Sequence, residues 1–203
     1  MRESKGMERP EPEPDDAELV RRVQAAPGTP QARQAAEALL SRWRERLYLW
    51  CFRMVRDHDR ALDLTQECLV RAWRGLPAFE SRSAVSSWLF AIARNACRSA
   101  LRKRPLRHDP DVEMEAMTDL LAGPEDTAEH RVRLEQVLAA MNEALSAQER
   151  EALWLRAHEG LHVDEITVML GLDGASGARS LLQSARRKLR AALAPDGAGE
   201  ENP

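Results

Sequence analysis

The chain has few aromatic residues and lacks long apolar runs. Its 203 residues include one tyrosine and three phenylalanines. Ala, Leu, Arg and Glu are abundant instead, and these residues favour helices over strands. No uninterrupted apolar run approaches the ~18 residues that a membrane-spanning helix needs, and the first residues are polar and acidic, unlike a secretory signal. We therefore expect an all-α protein of the cytoplasm, without membrane insertion.

Cysteine is scarce as well. Cys51, Cys68 and Cys97 are widely spaced, and each falls on the apolar side of a predicted helix. Such cysteines are interpreted as small buried apolar residues rather than as metal ligands or disulfide partners. The sequence also lacks a Gly-rich phosphate loop and a nucleophile elbow. These absences predict no catalytic residue, no metal and no cofactor.

One enzyme motif has to be weighed against that prediction. Residues 158–162, His-Glu-Gly-Leu-His, match the pattern of a zinc protease, which requires both histidines on one face of a helix. Gly160 falls where a helix should end, and no convincing third ligand follows. The sequence therefore favours a turn at this point, with a zinc site as the weaker alternative.

Charge is distributed unevenly along the chain. The net charge is −3, yet residues 41–107 carry +9 and residues 108–129 carry −8. A basic segment of this strength favours a polyanionic partner such as nucleic acid.

The length and the composition shifts predict two small helical domains. We expect a disordered acidic tail at 1–15, a helical domain at 16–104, an acidic linker at 105–129, a second helical domain at 130–194 and a disordered tail at 195–203.

In the first domain, apolar spacing predicts four helices. They cover residues 16–25, with Asp16 as N-cap, and about 31–56, 60–74 and 84–104. Their expected core contains tryptophans from several helices: Trp43, Trp50, Trp73 and Trp88.

In the second domain, helical patterning resumes at about Ala128. Residues 146–149 form a predicted capping box for a helix that ends near Leu155. A short helix over 163–170 and a last helix, capped by Ser176 and ending near Leu193, make a helix-turn-helix. The last helix should bury Ala178, Leu182, Ala185 and Leu189.

The predicted helix at 84–104 has an apolar and a basic stripe. Arg94, Asn95, Arg98 and Arg102 lie on the basic side. Arginine suits any phosphate backbone, whereas the amide of Asn95 can distinguish base edges. A merely solvated charged face is an equally open interpretation of this helix alone.

Two stretches resemble a known family. Residues 59–104, with Asp-Arg-Ala-Leu-Asp-Leu-Thr-Gln-Glu and Ser-Trp-Leu-Phe-Ala-Ile-Ala-Arg-Asn, resemble region 2 of the extracytoplasmic-function (ECF) class of bacterial RNA polymerase sigma factors. Residues 141–190, with Glu-Gly-Leu-His-Val-Asp-Glu-Ile and Ala-Arg-Arg-Lys-Leu-Arg, resemble region 4. The resemblance implies a non-enzymatic factor whose partners are core RNA polymerase, promoter DNA and an anti-sigma protein.

The resemblance also implies roles for individual residues. Core polymerase binding maps to Asp63, Gln66, Glu67 and Arg71. Binding of the single-stranded minus-ten element maps to Phe79, Ser81, Arg82, Arg94, Asn95, Arg98 and Arg102. Binding of the minus-thirty-five duplex maps to Ser176, Arg179, Ser180, Gln183, Arg186 and Arg187.

The second half departs from the family pattern. The turn at 171–177 is one residue longer than usual, Gly177 stands where Thr or Ser is common, and Leu181 and Ser184 stand where Arg is common. Fewer cations predict weaker phosphate anchoring. The alternative function is a free-standing helix-turn-helix regulator whose first domain binds a protein or ligand. Only the sigma-factor interpretation needs Asp63, Gln66 and Glu67 for polymerase association.

Overall fold

The structure, a computed structural model, describes residues 13–103, 118, 121, 127–172 and 176–194. All regular elements in this part of the chain are helical, which confirms the all-α prediction. None of the described helices is long and apolar enough to cross a membrane. The predicted tails, apart from residues 13–15, and most of the predicted linker lie outside the described residues.

The N-terminal group consists of α1 (Asp16–Ala25), α2 (Pro30–Val55), α3 (His58–Gly75) and α4 (Val85–Lys103). Local signals set these bounds. The Thr29 hydroxyl accepts the amide of Ala32 at the start of α2, and Pro30 occupies the first turn. Asp57 caps α3 in the same way, and a short 3-10 turn, Leu76–Ala78, continues it.

The core of this group is built around aromatic rings from α2 and α4. Trp50 and Phe90 are fully buried with ring centroids 5.5 Å apart, and Trp43 meets Phe90 edge-on at 6.0 Å. The three cysteines are buried here, as predicted. A hydrogen bond with Cys51 and burial raise the pKa of Cys68, so its thiol stays protonated and unreactive at neutral pH.

The C-terminal group consists of α5 (Ala128–Ala144), α6 (Ala147–Ala157), α7 (Val163–Leu170) and α8 (Gly177–Ala192). The predicted capping box is present: the Ser146 hydroxyl accepts the amide of Glu149, and the Glu149 carboxylate accepts the amide of Ser146. Gly171, in the left-handed region at φ 62°, ends α7 and starts the turn toward α8. The predicted helix-turn-helix is therefore formed by α7 and α8.

Some local predictions were wrong or hold only in part. Asp15, not Asp16, caps α1, and the Asp16 carboxylate instead accepts the indole N–H of Trp43 at 2.7 Å. Trp73 is not in the core but is 37% exposed. Ser176 occupies the N-cap position of α8, as predicted, but its side chain makes no capping hydrogen bond; a side chain of α7, described below, accepts an amide of the first turn instead.

Candidate polymerase and nucleic-acid interfaces

The exposed side of α3 carries the residues that the resemblance assigns to polymerase binding. Asp63, Gln66, Glu67 and Arg71 are all exposed. Arg71 donates to Glu67 at 2.5 Å, and both side chains are about half exposed. An exposed pair of this kind contributes little to stability. Its members remain available to a partner protein.

Apolar side chains are exposed on the same helix. Leu62 is 39% exposed, Val70 48% and Trp73 37%. Leu62 and Gln66 also line a groove between α2 and α3, together with residues of α2: Ser41, Arg44, Glu45 and Tyr48. Large apolar groups mixed with charged ones on one surface are typical of protein interfaces. The spacing of α3 did indicate the exposure of Trp73, because a helical wheel places it about 100° from the buried Ala72 and close to Leu62 and Gln66.

The members of the predicted basic row on α4 lie in two different environments. Asn95, Arg98 and Arg102 are exposed and follow one another by three and four positions. They therefore line one side of the helix. Arg94 is 7% exposed and points toward α6.

The buried Arg94 has an ion-pair partner in the other helical group. Its Nε donates to Oε1 of Glu151 at 2.7 Å, and its Nη2 lies 3.5 Å from Oε2. The two side chains are 8% and 9% exposed. In this arrangement Arg94 is sequestered by a carboxylate, unlike the three other members of the row.

The loop before α4 is held at its beginning and exposed farther along. The amide of Gln24 donates to the carbonyl of Phe79 at 2.6 Å, and the Phe79 ring lies 4.9 Å from the Trp88 ring. Ser81 has φ 54°, an unusual conformation for a residue with a side chain. Arg82 is 83% exposed and pairs with Glu80. Trp88 is half-buried and packs on the core, as expected from its place in the apolar stripe.

The last helix presents the predicted polar residues to solvent. Arg179, Ser180, Gln183, Arg186 and Arg187 are exposed, as is Ser176 just before the helix. Ala178, Leu182 and Ala185 are buried, as predicted, whereas Leu189 is only half-buried. The helix therefore packs on α6 and α7 with its apolar side and leaves its basic side free.

The start of α8 is fixed by α7. The hydroxyl of Thr167 accepts the amide of Ala178 at 2.9 Å, which replaces the cap predicted for Ser176. A Cβ added to Gly177 would lie 2.6 Å from the Thr167 side chain, and Gly177 has φ 41°. Glycine at this position therefore permits the close approach of the two helices, which accounts for the departure from the usual Thr or Ser.

Glu149 fixes α8 from the other side. This residue is 3% exposed and accepts hydrogen bonds from the Ser184 hydroxyl and the Lys188 ammonium group, both at 2.8 Å. Burial alone would raise the pKa of its carboxyl group, but the hydrogen bonds from Lys188, Ser146 and Ser184 outweigh burial and lower it to about 2. Ser184, which replaces a common arginine, therefore serves helix packing.

The zinc-protease motif does not have the required geometry. Helix α6 ends at Ala157, α7 begins at Val163, and Gly160 lies between them at φ 73°. The Glu159 side chain is fully buried and accepts from Arg46 at 2.9 Å and from the Trp154 indole at 3.0 Å. Glu159 is thus a structural acceptor in a turn.

Sequence reasoning missed the residues that join the two helical groups. Besides Arg94 and Glu151, the Arg46 guanidinium of α2 binds Glu159, and the Ser87 hydroxyl of α4 donates to Glu165 of α7 at 2.5 Å. Their partners are 57 to 113 residues away in the chain. A local sequence pattern cannot reveal pairs that are so far apart in the chain. The charged residues at buried helix positions were a partial signal, because a charged side chain is rarely buried without a partner.

Comparison with known proteins identifies the family. Residues 39–105 match the Sigma-70 region 2 family. The chain is 35% identical to the ECF RNA polymerase sigma factor EcfG of Rhodopseudomonas palustris, over 71% of this chain and 77% of that protein. It is 32% identical to the ECF RNA polymerase sigma factor SigG of Mycobacterium tuberculosis, over 73% of this chain and 46% of that longer protein. The sigma factor RpoE of Bartonella quintana, solved with the anti-sigma factor NepR, superimposes with a TM-score of 0.58 at 26% identity, covering 79% of this chain and 97% of that one.

A basic helical surface followed by a helix-turn-helix is typical of DNA-binding transcription proteins. With the sequence matches, the assignment becomes specific: the chain belongs to the ECF family of RNA polymerase sigma factors. Its function is to direct transcription initiation, and it is not an enzyme. The family prediction is confirmed, and a free-standing helix-turn-helix regulator is not favoured.

Proposed function

We propose that this sigma factor binds core RNA polymerase through the exposed side of α3 and captures the minus-ten strand with residues 79–83 and α4. Helix α8 enters the major groove of the minus-thirty-five element. The protein acts in the cytoplasm, and an anti-sigma protein is a further partner. The domain division at 16–104 and 130–194 belongs to this proposal.

The exposed row Asn95, Arg98 and Arg102 carries the minus-ten assignment. Apart from Lys103, the rest of α4 is buried or half-buried, so these side chains project from a packed support. The arginines provide phosphate contacts, and the Asn95 amide provides a donor and an acceptor for a base edge. An unpaired base exposes such an edge, and capturing it offsets part of the energy of strand separation.

The assignment of α8 is supported by its exposed residues and its two anchors. Arg179, Ser180 and Gln183 lie in the N-terminal half of the helix, which in helix-turn-helix proteins contacts bases. Arg186 and Arg187 follow at positions suited to phosphates. Thr167 and Glu149 hold the helix in place, and a fixed orientation is what base readout requires.

The partner assignments are supported by the surface of α3 and by a structural neighbour. Exposed carboxylates next to Leu62, Val70 and Trp73 suit a protein surface that presents arginines and apolar groups. The neighbouring sigma factor from Bartonella quintana was crystallised with an anti-sigma factor. An anti-sigma partner for this chain is inferred from that likeness.

The minus-ten assignment is tested with Asn95→Ala. Run-off transcription with purified core enzyme on a genomic template library first yields a promoter. On that promoter, Asn95→Ala should reduce open-complex formation by about five- to 150-fold, since a lost amide-to-base contact corresponds to roughly 1–3 kcal/mol. Permanganate reactivity of unpaired thymines measures the open complex.

The control for this test is Asn142→Ala, the same substitution at an exposed position of α5. It should leave melting unchanged, and both variants should bind core polymerase like the parent chain. Normal promoter melting by Asn95→Ala would refute the assignment.

The α3 assignment is tested by charge reversal. Glu67→Lys should weaken binding to core polymerase in a pull-down or by fluorescence anisotropy, because it places a cation where the partner is expected to present cations. Glu135→Lys, at an exposed position of α5, introduces the same charge elsewhere and should bind normally. Equal affinities for the two variants would contradict the assignment.

A further inference from the structure

The contact between the two helical groups covers part of the proposed minus-ten surface. Arg94 lies on the same helix as Asn95 and Arg98, but its guanidinium group donates a hydrogen bond to Glu151 of α6. A guanidinium fork has matching geometry for a carboxylate and for a phosphate. Glu151 therefore occupies Arg94 with a group equivalent to the one that a DNA strand would offer.

Two further carboxylates of the C-terminal group bind the N-terminal group in the same manner. Glu159 accepts from Arg46, and Glu165 accepts from Ser87 and from the backbone amide of Ala84 at 3.4 Å. Ala84 immediately precedes α4 and Ser87 lies in its first turn, beside the loop of residues 79–83. The C-terminal group thus contacts α4 at two places along the proposed strand-binding surface.

A fourth contact shows that the interface is not fully satisfied. The Arg53 guanidinium lies 4.7 Å from the ring centre of Trp50 and 5.0 Å from that of Trp154, so α6 covers it. Its Nε is buried and has no hydrogen-bond partner among the described residues. A buried donor without a partner disfavours the closed state relative to one in which water reaches it. Such an interface is suited to reversible opening.

We propose that this closed arrangement is a self-masked state, in which the carboxylate of Glu151 competes with promoter DNA for Arg94. Strand capture by all four members of the basic row then requires α6 to separate from α4. The inference rests on the proposed role of α4 in strand binding. It adds a regulatory contact within the chain itself, so that the free factor is held back from nonspecific single strands.

The test compares the full-length chain with Glu151→Gln, which keeps the shape of the side chain and removes its charge. Removing one partner of a buried pair leaves the other uncompensated and destabilises the closed state. We expect a larger radius of gyration by small-angle X-ray scattering. We also expect at least about tenfold tighter binding of a fluorescein-labelled single-stranded DNA of mixed sequence, because the binding-competent fraction increases.

Two further variants separate masking from simple destabilisation. Arg94→Gln should open the chain equally but gain no affinity for the single strand, since the cation itself is gone. Glu143→Gln, the same substitution at an exposed position of α5, should change neither the radius nor the affinity. Circular dichroism verifies that each variant keeps its helices. If Glu151→Gln fails to fold, the milder Glu165→Gln tests the same interface and should also increase both radius and affinity.

Unchanged radius and unchanged single-strand affinity in a folded Glu151→Gln chain would overturn the inference, as would an equal gain in affinity by Arg94→Gln. Failure of the proposed function is distinguishable. If Asn95→Ala melts the promoter normally while Glu151→Gln opens the chain without any gain in affinity, the role of α4 is wrong. If Asn95→Ala behaves as expected and Glu151→Gln changes nothing, only the masking is wrong.

Discussion

Glu149 links α6 to the proposed recognition helix, and its substitution gives the sharpest test of how α8 is held. Glu149→Ala removes the acceptor of the Ser184 hydroxyl, the Lys188 ammonium group and the Ser146 amide. A hydrogen bond to a charged group contributes about 1.5–3 kcal/mol, and a capping interaction about 1 kcal/mol. Lys188 is 40% exposed and regains hydration. We therefore expect a loss of about 2–4 kcal/mol, not the full sum.

The same residue predicts a defined pH dependence. The pKa of Glu149 is lowered from 4.5 to about 2 in the folded chain, so the unfolded chain binds the proton more readily. The stabilisation by the carboxylate is complete above pH 4.5 and is lost as the pH falls toward 2. Glu149→Gln should accordingly be less stable than the parent at pH 7, and the difference should shrink with acidification through this range.

Urea denaturation followed by circular dichroism at several pH values measures both effects. Glu143→Gln, at an exposed position of α5, is the matched control and should change stability by less than about 0.5 kcal/mol at any pH. A difference between parent and Glu149→Gln that stays constant from neutral pH to acid would refute the reasoning, since the carboxylate charge would then contribute nothing.

Two pairs of substitutions test the packing of single residues. Gly177→Ala should lower the free energy of unfolding by about 1–3 kcal/mol in urea denaturation, because it places a side chain on a residue with positive φ and brings that side chain against Thr167. Gly28→Ala is the control, since Gly28 also has positive φ (83°) but has open space around it. It measures the backbone contribution alone and should lower the free energy of unfolding by less. Trp50→Ala removes a buried aromatic side chain and should lower the free energy of unfolding by about 3–5 kcal/mol. Trp73→Ala should lower it far less, because Trp73 is exposed, but this variant should bind polymerase more weakly. A similar loss of stability for the two tryptophans would argue against the exposed position of Trp73.

Local chemistry explains why the helices could be predicted well. The bounds of α2 depend on Thr29 and Pro30, those of α6 on its capping box, and the end of α7 on Gly171. Each signal lies within a few residues of the boundary that it sets. Where two adjacent residues compete for one role, as Asp15 and Asp16 do, the pattern alone does not select between them.

The environment of each helix face was harder to predict. Apolar spacing separates the buried side of α4 from the polar side, but it does not say what lies against the polar side. Arg94 and Asn95 are neighbours in sequence, and one is paired with Glu151 while the other faces solvent. The cause is the packing of α6, which depends on contacts more than 50 residues apart. Trp73 is a different case: its place on the helical wheel, about 100° from the buried Ala72, indicated exposure, whereas its apolar character favoured burial.

The division of the basic row has a consequence for the order of events at a promoter. Asn95, Arg98 and Arg102 are accessible while the chain is closed, so under the masking proposal a strand can make its first contacts without any rearrangement. When Arg98 or Arg102 binds a phosphate of the strand, the neighbouring phosphates of the same strand are held near Arg94, so their effective concentration there increases. The separation of α6 from α4, with displacement of the Glu151 carboxylate, then takes place within a complex that has already formed. The free chain can therefore be closed most of the time and still respond to a melted promoter.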